Sequence, residues 1–172
     1  YAGANAGAAT LASGRHMVEA VSISEAQVWN WLEDVPDPEI PVISVVDLGV
    51  IRNVDVRGDD VTVTITPTYS GCPAMSMISL DIELALARKG VNKVALKTQL
   101  APAWTTDWMS SKGRARLEDY GIAPPQPAGG PVRCPHSKSA NVQRVSQCGS
   151  TACKAQWRCN DCLEPFDYLK CL

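Results

Sequence analysis

The stretch Val61-Thr-Val-Thr-Ile-Thr66, continued by Pro67-Thr-Tyr-Ser-Gly-Cys-Pro73 and the apolar series Met75, Ile78, Ile82, Leu86, decides the fold. Apolar and hydroxyl residues alternate with period two from Val61 to Thr66, which predicts a half-buried strand. The series after Pro73 recurs at helical spacing and stops at Gly90, a residue suited to closing a helix. A strand therefore runs through a short loop into an amphipathic helix. Pro73 is expected at or near the first helical position, where its missing N–H leaves nothing unsatisfied. Cys72 then lies close to the N-cap, its sulfur near the unpaired N–H groups and positive pole of the helix. That position favours a thiolate of lowered pKa, the form that ligates metals and attacks electrophiles. The competing reading of Cys72 is a small buried hydrophobe.

Upstream, Ser24-Glu-Ala-Gln27 has the form of a capping box, and Val28, Trp31 and Leu32 supply the apolar stripe of a short helix. Val35-Pro-Asp-Pro-Glu-Ile-Pro41 holds three prolines in seven residues and must be an extended or turning loop. Residues 50–56 read as a strand and Arg57-Gly-Asp-Asp60 as the turn that pairs it with Val61–Thr66. Downstream, residues 93–100 alternate as a third strand, and a last helix is expected over residues 111–120, closed by Gly121. Helix, hairpin, helix, strand, helix is an α+β pattern with helices packed on one face of a small sheet.

Residues 122–131 contain four prolines and two glycines, the composition of a linker. Beyond them the chain changes character. Cys134-Pro-His-Ser137, a partly alternating polar stretch, a Cys-Gly-Ser-Thr turn and Cys159-Asn-Asp-Cys162 form two knuckle-like segments separated by a hairpin, a zinc-ribbon-like β domain. The expected organisation is a leader over 1–17, an α+β domain over 18–121, a linker over 122–131 and a metal-binding ribbon over 132–172.

Composition bounds the function. A chain of 172 residues has room for one ordinary domain and a small one. No apolar run approaches the roughly 18 residues of a membrane span, so a soluble protein is expected. The first seventeen residues are mostly small and polar, lack the apolar centre of a secretory signal, and read as an expression leader ending in His16-Met17. Net charge is -2, with an acidic body and a basic tail. This distribution disfavours nucleic-acid binding and suits docking of the tail on an acidic surface. Six of the seven cysteines fall between Cys134 and Cys171. Without a secretory signal, such density points to metal binding in the cytoplasm rather than to disulfides.

Asp37-Pro-Glu-Ile-Pro41, Val45-Val-Asp-Leu-Gly-Val-Ile51 and Gly71-Cys72-Pro73 resemble the small domain shared by bacterial and eukaryotic iron-sulfur assembly factors. Pro102-Ala-Trp-Thr-Thr-Asp-Trp-Met109, Tyr120-Gly-Ile-Ala-Pro-Pro125, Gly149-Ser-Thr-Ala-Cys-Lys154 and Glu164-Pro-Phe-Asp-Tyr168 narrow the resemblance to the PaaD family, across roughly residues 18 to 172. Members of that family are accessory components of the phenylacetyl-coenzyme A epoxidase system of aerobic phenylacetate degradation. The resemblance implies a role in maturing a multicomponent monooxygenase, with a diiron centre in one subunit and an iron-sulfur reductase in another. It further implies the oxygenase and reductase subunits, and iron-sulfur assembly proteins, as partners. The chain departs from the family pattern at the first knuckle, where C-P-x-C becomes Cys134-Pro-His-Ser137, and at Cys148, which stands where the family has an aromatic residue.

Structural zinc takes four N or S donors. Cys134, Cys159 and Cys162 supply three, and His136 is the nearest candidate for the fourth. If residues 164–170 return as a strand beside residues 152–158, Cys171 approaches Cys153. Cys148, Cys153 and Cys171, with Cys72 from the body, then form a second soft site suited to iron or an iron-sulfur cluster; unconnected reduced thiols, or one disulfide formed on purification, are the alternative. Asp37, Glu39 and Asp47 are candidate oxygen ligands or proton acceptors beside Cys72, or else loop acids that cap turns and face solvent. Three functions remain open. One is a non-catalytic factor that carries or inserts iron or a cluster, another an adaptor whose zinc ribbon binds partners without metal transfer. The third, a thiol enzyme, lacks a free histidine to serve as base, since His16 lies in the leader and His136 in the knuckle.

Overall fold

The computed structural model describes residues 23–126 and 130–170. The expected leader, and Cys171, lie outside the described residues.

Helix α1 (Glu25–Leu32) begins as the capping box requires. The Ser24 hydroxyl accepts from the Gln27 N–H at 3.3 Å, and the Gln27 side-chain oxygen accepts from the Ser24 N–H at 2.9 Å. Its stripe of Val28 and Leu32 is fully buried. The proline-rich loop then folds on itself. Asp37 Oδ1 accepts from the N–H groups of Glu39 (2.9 Å) and Ile40 (2.8 Å), an Asx turn that satisfies backbone donors no helix or sheet could take.

Strands β1 (Ile51–Arg57) and β2 (Asp60–Ile65) pair antiparallel, with Gly58 at φ +62° in the turn. Val61, Val63 and Ile65 face the core while the threonines between them stay half-buried, the alternation read from the sequence. Helix α2 (Met75–Arg88) buries Ile78, Ile82 and Leu86 and ends before Gly90, at φ +88°. It crosses over to β3 (Lys93–Thr98), which lies parallel to β2, giving the order β1-β2-β3. The start of α2 differs from expectation. Ala74 is the N-cap, so Pro73 precedes the helix rather than opening it and Cys72 stands two residues before the cap.

A short 3₁₀ turn (Thr106–Trp108) and helix α3 (Ser111–Asp119) close the body. Trp104 packs as a core residue, its indole N–H donating to the Leu48 carbonyl at 3.1 Å. Gly49, at φ +79°, admits no side chain, because a Cβ there would stand 2.6 Å from the Trp108 carbonyl oxygen.

The ribbon sheet has the order β4-β7-β6-β5, from β4 (Ile122–Ala123), β5 (Val142–Ser146), β6 (Lys154–Cys159) and β7 (Pro165–Leu169). The return of β7 beside β6 is as read. The stretch expected as a linker opens instead with β4, which pairs in parallel with β7 and ties the body's last helix to the ribbon. Two cores result. The larger joins α1, α2 and the first sheet with Cys153 and Leu169 of the ribbon; the smaller holds Ala123, Cys134, Cys159 and Phe166. A ribbon of about 40 residues buries too little alone, and its seat on the body adds apolar burial.

Candidate functional site: two thiol centres

The first centre is built by the two knuckles of the ribbon. The sulfurs of Cys134, Cys159 and Cys162 lie within 4.8 Å of one another. Cys134 Sγ and Cys162 Sγ are 3.7 Å apart; two thiolates at 2.3 Å from one tetrahedral metal stand about 3.8 Å apart. The donor set therefore fits a thiolate-bound metal, with these three residues holding it. Main-chain N–H groups favour the anion: the Cys162 N–H and then the Ser137 hydroxyl bring Cys159 down to about 6. At Cys162 the Glu164 N–H favours the thiolate, but burial and the Cys159 sulfur together push this thiol up.

His136 does not join them. Its side chain is exposed and its imidazole Cε1 comes within 3.2 Å of the point where a Gly121 Cβ would stand, so it faces α3's exit rather than the thiols. The knuckle's fourth place belongs to Ser137, whose N–H points to Cys134 Sγ (3.5 Å) and whose hydroxyl lies 3.4 Å from Cys159 Sγ.

The second centre is a partly open cleft where body meets ribbon, with largely apolar walls that include Ile40, Leu48, Val50, Trp104 and Leu169, and with Asp37, Glu39, Thr68, Cys72, Cys153 and Lys170 also lining it; its volume is about 20 Å³, room for one water-sized ligand. The ribbon reaches it through Cys153, whose sulfhydryl donates to Glu39 Oε2 at 3.4 Å and lies 3.0 Å from the Thr151 hydroxyl. Burial, with the Glu39 carboxylate adding to it, pushes Cys153 up to about 11. Burial also raises Cys72. The Ala74 N–H and Thr68 hydroxyl oppose that rise without cancelling it, and the charges of Glu39 and Asp37 reinforce it. The expected low-pKa thiolate at Cys72 is thus corrected, because desolvation and two nearby carboxylates outweigh the donors at the start of α2. Asp37 is itself raised by burial, against the Ile40 and Glu39 N–H groups that favour its anion.

Of the three candidate acids, Asp37 and Glu39 line this cleft and Asp47 does not. Asp47 is buried against α3, accepting from the Ser110 hydroxyl at 2.6 Å with Arg116 at 3.5 Å and Lys112 at 3.9 Å. It fastens α3 to the loop before β1. Cys148, expected to group with Cys153, is exposed and does not line the cleft, while Cys153 turns inward to Glu39. Cys171, the third member of that group, lies outside the described residues.

A domain of the iron-sulfur assembly type, carrying a cleft thiol and joined to a cysteine-knuckle ribbon, is the class of protein that this fold and these centres define. Residues 25–96 match the family described as iron-sulfur cluster assembly protein, and residues 125–170 the PaaD zinc beta ribbon domain. The chain is 47% identical over 154 residues, covering 85% of this chain and 92% of the relative, to a putative 1,2-phenylacetyl-CoA epoxidase subunit of Escherichia coli strain K12. The chain belongs to the PaaD family. It is also 42% identical over 96 residues, 55% of this chain and 90% of the relative, to an Fe-S protein maturation auxiliary factor of Porphyromonas gingivalis. A crystal structure of a DUF59 domain from Bacillus anthracis superposes with TM-score 0.51 and 28% identity, over 54% of this chain and 90% of that one. Among the described residues no helix is long and apolar enough to cross a membrane.

Thr68, Tyr69 and Thr151 escaped the sequence reading. Thr68 and Tyr69 hydrogen-bond the Cys72 side chain, and Thr151 bonds Cys153. Their one signal was proximity: each lies within four residues of its cysteine, in a loop where a hydroxyl reaches a neighbouring side chain.

Proposed function

We propose that this chain is an accessory factor that matures a phenylacetyl-CoA epoxidase by carrying or inserting iron or an iron-sulfur cluster through Cys72, with zinc as the metal of the ribbon. The observation that carries the reading is the convergence of two thiols, Cys72 and Cys153, with the Asp37 and Glu39 carboxylates in one cleft with room for one small ligand. Thiolates suit zinc and iron-sulfur clusters and carboxylates suit hard cations, so the cleft offers donors of both kinds. Among the described residues the one histidine, His136, does not line this cleft, which leaves the thiols suited to binding rather than to base-assisted attack. The names of the relatives agree, one being an epoxidase component and another an Fe-S maturation auxiliary factor. The partners on this reading are the oxygenase and reductase subunits of the epoxidase and iron-sulfur assembly proteins, all met in the cytoplasm.

The test is Cys72→Ala co-produced with those subunits. Removing a sulfur from a half-buried site changes stability by about 1 kcal/mol or less, whereas iron content and activity of the partners are expected to fall to background. Fully loaded, active partners beside a folded Cys72→Ala protein would reject the carrier reading and leave a zinc-ribbon adaptor in its place.

A further inference from the structure

The ribbon centre is one donor short of the closed four-ligand shell of structural zinc. Cys162 stands three residues after Cys159, and the equivalent residue after Cys134 is Ser137. Its backbone behaves as a knuckle backbone does, directing the N–H at the Cys134 sulfur, and its hydroxyl reaches the edge of the thiol cluster. The hydroxyl is nonetheless a poor fourth ligand. It is a hard neutral donor among soft anionic ones, and a C–O bond is shorter than a C–S bond, so the oxygen stops short of where a sulfur would stand.

No other side chain of the described ribbon takes the place. His136 is turned to Gly121. Cys148 follows β5 beyond Ser146, at the opposite end of the hairpin from Val142, the residue paired with Cys159. Cys153 is held by Glu39. The corner is also reachable, since Ser137 is exposed and Cys162 only half-buried. Arg133 stands beside it, its guanidinium donating to the Lys138 carbonyl at 3.3 Å, while the Lys138 ammonium is paired with Glu118 at 2.6 Å.

We infer that the three-thiolate centre of the ribbon keeps an exchangeable fourth position at the Ser137 corner, and that this position takes an exogenous thiolate. With a metal held by Cys134, Cys159 and Cys162, an incoming thiol would give its proton to solvent and its sulfur would take the fourth position in place of water, with no electron moved. A site with three protein ligands and one exchangeable position is built for ligand exchange, in contrast to a closed structural shell. This is independent of the role proposed for the Cys72 cleft.

Cobalt(II) loaded into the full chain reports the shell directly, because its sulfur-to-metal charge-transfer band grows with the number of bound thiolates. Titration with L-cysteine is expected to raise that band by about a third, as three thiolates become four. A cysteine-containing hexapeptide in a parallel titration distinguishes the source: saturation by free cysteine assigns a small thiol, saturation by the peptide alone a protein cysteine. Ser137→Cys is expected to show the four-thiolate band from the outset, to ignore added thiol and to release metal to a chelator roughly tenfold more slowly. Ser137→Ala and His136→Ala are expected to respond to thiol as the unsubstituted protein does. A cobalt spectrum indifferent to millimolar thiol would overturn the inference. So would a tenfold or greater loss of metal affinity in Ser137→Ala or His136→Ala, since a side chain would then close the shell.

Discussion

The two thiol centres set the same functional group in opposite surroundings. In the ribbon, N–H donors of its own knuckle bring Cys159 down to about 6, while Cys162 beside it is pushed up. In the cleft, Cys72 and Cys153 face burial and carboxylates, and both are held as thiols through neutral pH, Cys153 up to about 11. A knuckle is a local device, in which a turn three residues long aims its own amides at its own sulfur. The cleft is assembled from far apart in the chain, Glu39 and Cys153 lying 114 residues from each other. The same group therefore meets opposite electrostatics: donors within the ribbon knuckle favour the Cys159 anion, whereas burial and carboxylates in the cleft favour the neutral thiols of Cys72 and Cys153.

Metal removal is expected to have its largest effect on the ribbon. Structural thiolate sites contribute on the order of 10 kcal/mol to folding, so chelation, or Cys159→Ala, is expected to unfold the ribbon while α1 and α2 persist. The edge-to-face pair of Trp157 and Tyr168, with centroids 6.0 Å apart, lies within β6 and β7 and gives a near-UV circular dichroism signal for that event. Survival of that signal in metal-free protein would show that packing on the body suffices.

A smaller effect tests which acid belongs to which region. Asp47→Ala removes a buried carboxylate from the Ser110 hydroxyl, Arg116 and Lys112, and is expected to cost about 3 kcal/mol in urea unfolding. The cleft thiols should keep their alkylation rates. A cost below about 1 kcal/mol with altered Cys72 reactivity would move Asp47 back to the cleft.

The smallest expected effect is the sharpest on the electrostatics. Glu39→Gln removes a negative charge that raises the pKa of Cys72 and Cys153. In the unsubstituted protein the alkylation rate of Cys72 is expected to climb until the pH passes the ordinary thiol value of 9.0, because its pKa lies above it. In Glu39→Gln the midpoint should fall, and the rate at pH 8 rise about threefold. An unchanged pH profile would mean that burial alone sets the thiol.

Much of this was legible in the residues themselves. The Val61–Thr66 alternation, the Ser24–Gln27 capping box, the Ile78, Ile82 and Leu86 stripe and the closing glycines at 90 and 121 all appear where read. Cys134, Cys159 and Cys162 also meet as their knuckle spacing required. Each of these depends on neighbours within a few residues, through backbone periodicity or a single turn. Chain order alone therefore determined an α+β body, a helix beginning just after a cysteine, and a ribbon with three convergent thiols. Only the tertiary structure decided that Asp37 and Glu39 line the Cys72 cleft while Asp47 anchors α3, that Cys153 turns inward from the ribbon, that His136 faces Gly121, and that Cys72 is raised rather than lowered. Those outcomes rest on burial and through-space charge, which arise when α3 packs on the loop before β1, β4 pairs with β7 and the ribbon packs against the body. No pattern among adjacent residues carries information about which distant surface a side chain will meet, and desolvation at that surface outweighs the local donors that the sequence displays.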